Sequence, residues 1–349
     1  MDYLQVIHRG KRMSFSDIIG QDWAIRLLQS GIRNGRLAHA YLFAGPDGVG
    51  KLMVALTLAK VLNCKTPIFA DCCDQCSPCR KIDVSSHPDV RLIRPSPGSI
   101  KIEQMRDLQR EAFFKSFEAR KKVYIIDSAE LMTHEAANSL LKTLEEPPGE
   151  AMFVLTTSNV AGVPPTIVSR CQLIRFNSIS RDKIEDILVN RRGLARDVAH
   201  RASLLCGGSV NQALRVGDGL AMARRNQVLD LVARVSSSDV GSIFELASGL
   251  TEHKEHLDEV LDIILSWYRD VLILKESGEG SSILNSDRMG LLKDEAGKFS
   301  TEDLVKAIGL VRQTQGYIKK NVNLQLAIEV MLLKLRGVNR STEISSMKR

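Results

Sequence analysis

Ala40-Tyr41-Leu42-Phe43-Ala44, continuing into Gly45-Pro46-Asp47-Gly48-Val49-Gly50-Lys51, is the stretch that decides the fold. Its first part is an apolar run of the length of a buried strand. A glycine-rich turn follows, and from Leu52 to Leu62 the apolar residues recur at helical spacing. Strand, glycine loop and helix in that order give the context for a phosphate-binding loop. Backbone N–H groups at the helix N-terminus surround phosphate oxygens, and a lysine adds positive charge. Gly45-x4-Gly50-Lys51 fits this pattern, with Gly48 inside the turn, up to its final position. There a Ser or Thr hydroxyl normally binds magnesium. The residue is Leu52, and an isobutyl group cannot coordinate a cation.

Further along the chain, Val123-Tyr124-Ile125-Ile126-Asp127 is a second buried-strand run, ending in a carboxylate that could help hold magnesium. Met152 to Thr157 is a third, and Gln172 to Phe176 reads as a fourth. The helices between them are expected over Ile100–Phe117 and from Thr133, as N-cap, to Glu146, where Pro147-Pro148 stops the helix. Alternating strands and helices predict a doubly wound parallel sheet. After Asp127 stands Ser128, which has no carboxylate to act as a base. Glu130 reads as a structural helix-cap residue.

After Ser178 the pattern turns helical. Arg181–Leu214 reads as a small helical unit, and helices continue from Asp218 onward. Leu257, Val260, Leu261, Ile264, Tyr268 and Val271 share one helical stripe. Ser277–Ser282 reads as a flexible loop, Leu324–Leu335 as a last apolar helix and Asn339–Arg349 as a disordered polar tail.

Cys64, Cys73, Cys76 and Cys79 lie close together among seven cysteines. Without a secretory signal such a cluster reads as a metal site rather than as disulfides. Four thiolates suit a closed tetrahedral, structural zinc site, and a small loop-rich insert would draw folding energy from the ion. Cys72, beside Cys73, is a rival ligand. An iron–sulfur cluster is the other candidate, but the spacing after Cys79 does not continue as in bacterial ferredoxins. Cys171 and Cys206 read as packing residues.

The chain has 349 residues, 44% apolar and 26% charged, which excludes a largely disordered protein and suits two or three domains. No apolar run spans a bilayer, and Met1 to Met13 has no apolar leader core, so a cytoplasmic protein without membrane contact is expected. The net charge of +7 is compatible with nucleic acid nearby without requiring it. Lys101, Arg106 and Arg110 on one helix read as a solvated face.

Taken together, these residues resemble the clamp-loader branch of the AAA+ family. Phe15-Ser16-Asp17-Ile18-Ile19-Gly20-Gln21 is similar to its opening signature, and Leu37-Ala38-His39 leads into the phosphate loop in the same way. His87-Pro88-Asp89, Asn138 to Pro148, Thr166-Ile167-Val168-Ser169-Arg170-Cys171 and Asn321-Val322-Asn323 match as well. The resemblance implies a RecA-like AAA+ P-loop domain over 1–178 with a zinc module at 64–80. It implies a helical lid over 179–217 and an all-α collar over 218–349 that ends in the disordered tail.

The resemblance also implies partners: gamma/tau motor subunits, a delta subunit and, through the complex, a sliding clamp and primer–template DNA. Arg170 would be a trans-acting arginine finger. Gly45, Gly48, Gly50, Lys51, Asp127 and Thr157, in the sensor-1 region, would form a degenerate site for ATP or ADP. Asn211 falls where motor subunits carry a phosphate-contacting arginine. With Leu52 and Ser128, it points to a subunit whose own hydrolysis is weak or absent. The alternative is an active gamma/tau-like ATPase motor of the same machine.

Overall fold

Strand β1 (Ala40–Ala44) is buried at every position and lies inside a five-stranded sheet with β2 (Val90–Ile93), β3 (Val123–Ile126), β4 (Met152–Thr157) and β5 (Gln172–Arg175). The computed structural model describes residues 13–346, apart from 97, 150, 192, 207, 218, 236–238, 252–256, 278–282 and 319–321. The strand order is β2-β3-β4-β1-β5, and every pairing is parallel. Parallel neighbours need crossover connections, so helices cover both faces.

Side chains alternate between those faces. Tyr41, Phe43, Val123, Ile125, Met152 and Val154 pack with α1 (Asp22–Arg33) and α2 (Lys51–Asn63). Leu42, Tyr124, Ile126, Phe153 and Leu155 pack with α3 (Ile102–Phe113) and α4 (His134–Glu145). Thr133 caps α4 by accepting from Ala136 N at 3.2 Å. The apolar strand runs carry no polar period because neither face of the sheet meets water.

Helix α3 stops at Phe113, short of the expected Phe117. Asp89 explains the early stop. Its carboxylate accepts the backbone N–H groups of Phe117, Glu118 and Ala119 at 2.8–3.0 Å, which locks them outside a helix. Lys122 Nζ meanwhile donates to the carbonyls of Glu111 and Phe114 at the end of α3. Phe113, Phe114 and Phe117 are left exposed on this segment.

Beyond β5 the chain forms α5 (Arg181–Asp186), a π-helical turn (Ile187–Arg191), α6 (Arg196–Leu205) and α7 (Val210–Gly217). Two compact units result, Met1–Leu214 and Arg215–Arg349, where the sequence suggested three domains. Contacts around α1 help hold this first unit together. Gln21 Nε2 donates to Val49 O at 3.1 Å and Asn177 O at 2.8 Å, and Lys183 pairs with Asp22 at 3.1 Å.

The second unit is helical: α8 (Gly219–Val235), α9 (Val240–Thr251), α10 (Leu257–Ser277), α11 (Met289–Lys298), α12 (Thr301–Ile318) and α13 (Leu324–Ser346). The stripe from Leu257 to Val271 is buried as its spacing requires, around Trp267. Buried Asp270 accepts Asn285 N at 2.7 Å, and Asn285 Oδ1 accepts Arg225 Nη2 at 2.7 Å, tying the start of α11 to α8. Asn323 caps α13 by accepting from Leu326 N at 3.2 Å, and Asn321 lies outside the described residues. Most of the loop expected over 277–282 also lies outside them. Helix α13 continues to Ser346, through most of the expected disordered tail, because no proline or glycine after Gly337 interrupts it. Among the described residues no helix is long and apolar enough to cross a membrane.

Burial alone would raise the Asp89 carboxyl, but the N–H groups of Glu118, Phe117 and Ala119 hold it below its ordinary value. Its contribution is therefore complete above the unfolded carboxyl pKa, about 3.9, and fades as pH falls through the lower folded value. Asp89→Ala should cost about 1.5–3 kcal/mol at neutral pH. Denaturant titrations at pH 7 and near pH 3 should show this gap narrowing in acid, and a pH-independent gap contradicts the role.

Candidate functional site

The phosphate loop runs from Gly45 to Gly50 between β1 and α2. Gly45 must lack a side chain, since a Cβ there would lie 2.2 Å from Phe176 O. Gly48 and Gly50 take φ values of 75° and 102°, open to glycine without strain, and Gly50 is the N-cap of α2. Lys51 Nζ turns back onto the loop, donating to Gly45 O at 2.6 Å and Pro46 O at 2.7 Å, with Asp47 at 3.6 Å. Burial pulls the Lys51 ammonium below its ordinary pKa, against the fields of Asp47, Glu130 and Asp127. Leu52, at the magnesium-ligand position, packs against the apolar core.

Asp127 follows β3 and Thr157 ends β4, so both stand at the same carboxyl edge of the sheet as the loop. The residue bonded to Asp127 is Thr156, not Thr157: its hydroxyl donates to Asp127 Oδ1 at 2.6 Å and accepts from Ser128 N at 3.1 Å. Thr157 is fully buried, and its hydroxyl accepts from Asn159 N at 3.0 Å. Ser128 sits at φ 61°, a left-handed conformation costly for a non-glycine residue. Glu130 is no helix cap. Its Oε1 accepts from Ser158 N at 3.0 Å and Ser158 Oγ at 2.7 Å, and its buried Oε2 has no partner. Asn211 lies in α7, and its side chain is outside the described residues.

The sulfurs of Cys64, Cys73, Cys76 and Cys79 all lie within 4.8 Å of one another, close enough to hold one metal ion. Zinc at about 2.3 Å from each of four sulfurs sets sulfur–sulfur spacings near 3.8 Å. Cys76 Sγ is 3.9 Å from Cys64 Sγ and 3.4 Å from Cys79 Sγ, so the donor set fits. Cys72 stands outside this quartet, in a group with Asp74 and Cys79. The thiols differ when no cation is present. Burial drives Cys64 up to about 12, whereas at Cys73 hydrogen bonds from Thr66, Gln75 and Cys76 outweigh burial and hold the thiol at about 6. A bound cation would remove that conflict by stabilising all four thiolates together. Cys171 and Cys206 are packed thiols that burial raises.

The insert is anchored by residues that the sequence reading missed. Lys60 of α2, 1% exposed, donates to Asp74 Oδ1 at 2.6 Å and Asp83 Oδ1 at 2.7 Å. Asp71 accepts Phe15 N at 2.9 Å and Ser16 N at 3.1 Å, joining the insert to the opening segment. A charged residue amid the apolar run Leu56-Thr57-Leu58-Ala59-Lys60-Val61-Leu62 is the one sequence signal for this.

Arg170 stands just before β5, at the amino edge of the sheet. The phosphate loop follows β1 at the carboxyl edge, and β1 and β5 are parallel neighbours. One strand length, on the order of 15–20 Å, therefore separates Arg170 from the loop of its own chain. Its side chain is about a third exposed, and its guanidinium bonds to Glu145 and to Thr166 O. Sheet order and the glycine loop between β1 and α2 are those of a RecA-like P-loop domain of the AAA+ class.

Comparison narrows that class. A family model described as DNA polymerase III, delta subunit, matches residues 20–180, and a second, for the C terminal part of that subunit, matches 220–337. The DNA polymerase III subunit delta' of Bacillus subtilis is 33% identical over 90% of this chain and 96% of its own length. The DNA polymerase III subunit gamma of a Buchnera aphidicola strain is 38% identical over 53% of this chain, which spans 51% of that relative. A gamma-subunit-related DNA polymerase III protein of Thermotoga maritima, of known structure, gives a TM-score of 0.41 at 18% identity over 89% of this chain and 99% of its own. The chain belongs to the DNA polymerase III delta-prime subunit family.

Lys60→Met would leave buried Asp74 and half-buried Asp83 without their cation. We expect it to destabilise the domain by about 3–5 kcal/mol and to speed loss of metal to a chelator. Equal unfolding curves and equal release rates would rule out this anchor.

Proposed function

We propose that this chain is the arginine-donating, non-hydrolysing subunit of a clamp loader. It would stand in a ring with gamma/tau motor subunits and a delta subunit. That complex would place a sliding clamp on primer–template DNA in the cytoplasm. Arg170 would enter the ATP site of a neighbouring motor subunit, where its planar, permanently charged guanidinium stabilises charge on the phosphoryl oxygens in transfer. The observation that carries this reading is the placement of Arg170 at the sheet edge opposite its own phosphate loop.

The chain's own site supports the same division of labour. Leu52 supplies no magnesium ligand and Ser128 no base, while Lys51 already satisfies itself on loop carbonyls. ATP or ADP would rest on Gly45, Gly48, Gly50 and Lys51, with Asp127 and Thr157 at the strand ends. The ion held by Cys64, Cys73, Cys76 and Cys79 would be zinc in a structural role, because its four positions would all be filled by protein. The second reading, an active motor, rests on the retained loop glycines and Lys51, and Leu52 and Ser128 weigh against it.

Metal analysis should find about one zinc per chain, and iron in its place overturns the assignment. For the central reading, ATP turnover should be measured on a loader assembled with wild-type chain or with Arg170→Ala, beside the chain alone. Loss of a finger slows its one site by about 10³-fold or more, so the ring should lose at least that site's share of turnover. The chain alone should be inactive. Unchanged turnover with Arg170→Ala, or brisk hydrolysis by the isolated chain, would favour the motor reading.

A further inference from the structure

We infer that Glu145 is a positioning residue that holds Arg170 with the second N–H of Nη2 presented to the neighbouring site, an inference that rests on the finger reading above. Arg170 has five N–H donors in a fixed plane. Nε donates to Glu145 Oε1 at 2.9 Å, Nη2 donates to the same oxygen, and Nη1 donates to Thr166 O at 2.8 Å. Ser169 Oγ lies at 3.4 Å from Nη1, a weak contact whose own hydroxyl donates to Thr166 O. The inner edge of the guanidinium is thus gripped in cis from two sides. Nη1 has two N–H groups and faces two acceptors, whereas Nη2 has a second N–H beyond the one held by Glu145, and that donor is left to meet a phosphate oxygen.

The position of Glu145 argues that it is not there for the helix. It is the last residue of α4, where carbonyl groups point outward and a carboxylate is disfavoured by the helix dipole. Nor is it there for general stability, since the pair is half open to solvent, with side chains 31% and 49% exposed, and exposed pairs stabilise little. What α4 supplies is rigidity. Leu140 and Leu144 are buried in the core, and the helix end is fixed by His39 Nε2 against Leu144 O at 2.9 Å. A long, flexible arginine would otherwise lose its rotamer freedom on every approach to the phosphate. Prior immobilisation on a rigid helix end removes that cost from the transition state.

The test is a set of chains assembled into the loader: wild type, Glu145→Ala, Glu145→Gln, Arg170→Ala and the Glu145→Ala/Arg170→Ala pair. Turnover, ring assembly and thermal stability are measured for each. We expect Glu145→Ala to cut turnover several-fold but less than Arg170→Ala, with stability and assembly unchanged. Glu145→Gln should recover part of the loss, since its amide oxygen can accept the same two N–H donors. In the Arg170→Ala background, Glu145→Ala should add nothing. If Arg170→Ala lowers turnover while Glu145→Ala leaves or raises it, Glu145 does not position the finger. An equal loss from Glu145→Ala in both backgrounds marks a purely structural role and also overturns the inference. An inert Arg170→Ala removes the finger reading itself, whatever Glu145 does.

Discussion

Parallel pairing of β1 with both β4 and β5 is the constraint on which the rest depends. In a parallel sheet all strand ends of one kind share an edge. The loop after β1, Asp127 after β3 and Thr157 at the end of β4 must therefore gather at the carboxyl edge. Residues that precede a strand gather at the other edge, and Arg170 is one of them. No side-chain adjustment brings a residue across the sheet. The glycine loop and Arg170 of one chain therefore stand at opposite edges of the sheet, a strand length apart.

The loop between β1 and α2 has the backbone of a phosphate-binding loop, with Leu52 and Ser128 at positions where hydrolysis would need a hydroxyl and a carboxylate. Gly45, Gly48 and Gly50 are retained for reasons of fit, because the loop packs against Phe176 and turns through positive φ whether or not a nucleotide is present. Leu52 gains burial where a hydroxyl would face a cation. Ser128 and Thr156 satisfy Asp127 and the strand end with hydrogen bonds that need no metal. The cysteine insert then ties this loop's helix to the opening segment through Lys60 and Asp71. On the proposed reading, this P-loop framework, stapled by polar contacts, serves as the scaffold that carries Arg170.

Much of this was legible in the sequence because it is written in short-range patterns. The strands announced themselves as unbroken apolar runs, the phosphate loop as glycines at fixed spacing, and α10 as a stripe from Leu257 to Val271. The cysteine quartet was readable from spacing, though only the fold separates Cys73 from Cys72. What was missed depends on partners distant in sequence. The early end of α3 is imposed by Asp89, the role of Thr156 by Asp127, and the grip on Arg170 by Glu145. The length of α13 was misjudged for a different reason: polarity was taken as disorder where no residue actually stops a helix.

On the proposed reading Arg170 acts on a neighbour and not on its own chain. This is tested most directly by placing a photoreactive residue at position 170, assembling the loader with a non-hydrolysable ATP analogue, and mapping the crosslink. The account predicts a crosslink to the motor subunit next to this chain, at its nucleotide site, that weakens when the analogue is omitted. A crosslink confined to this chain, or one to a surface unrelated to any nucleotide, would contradict it.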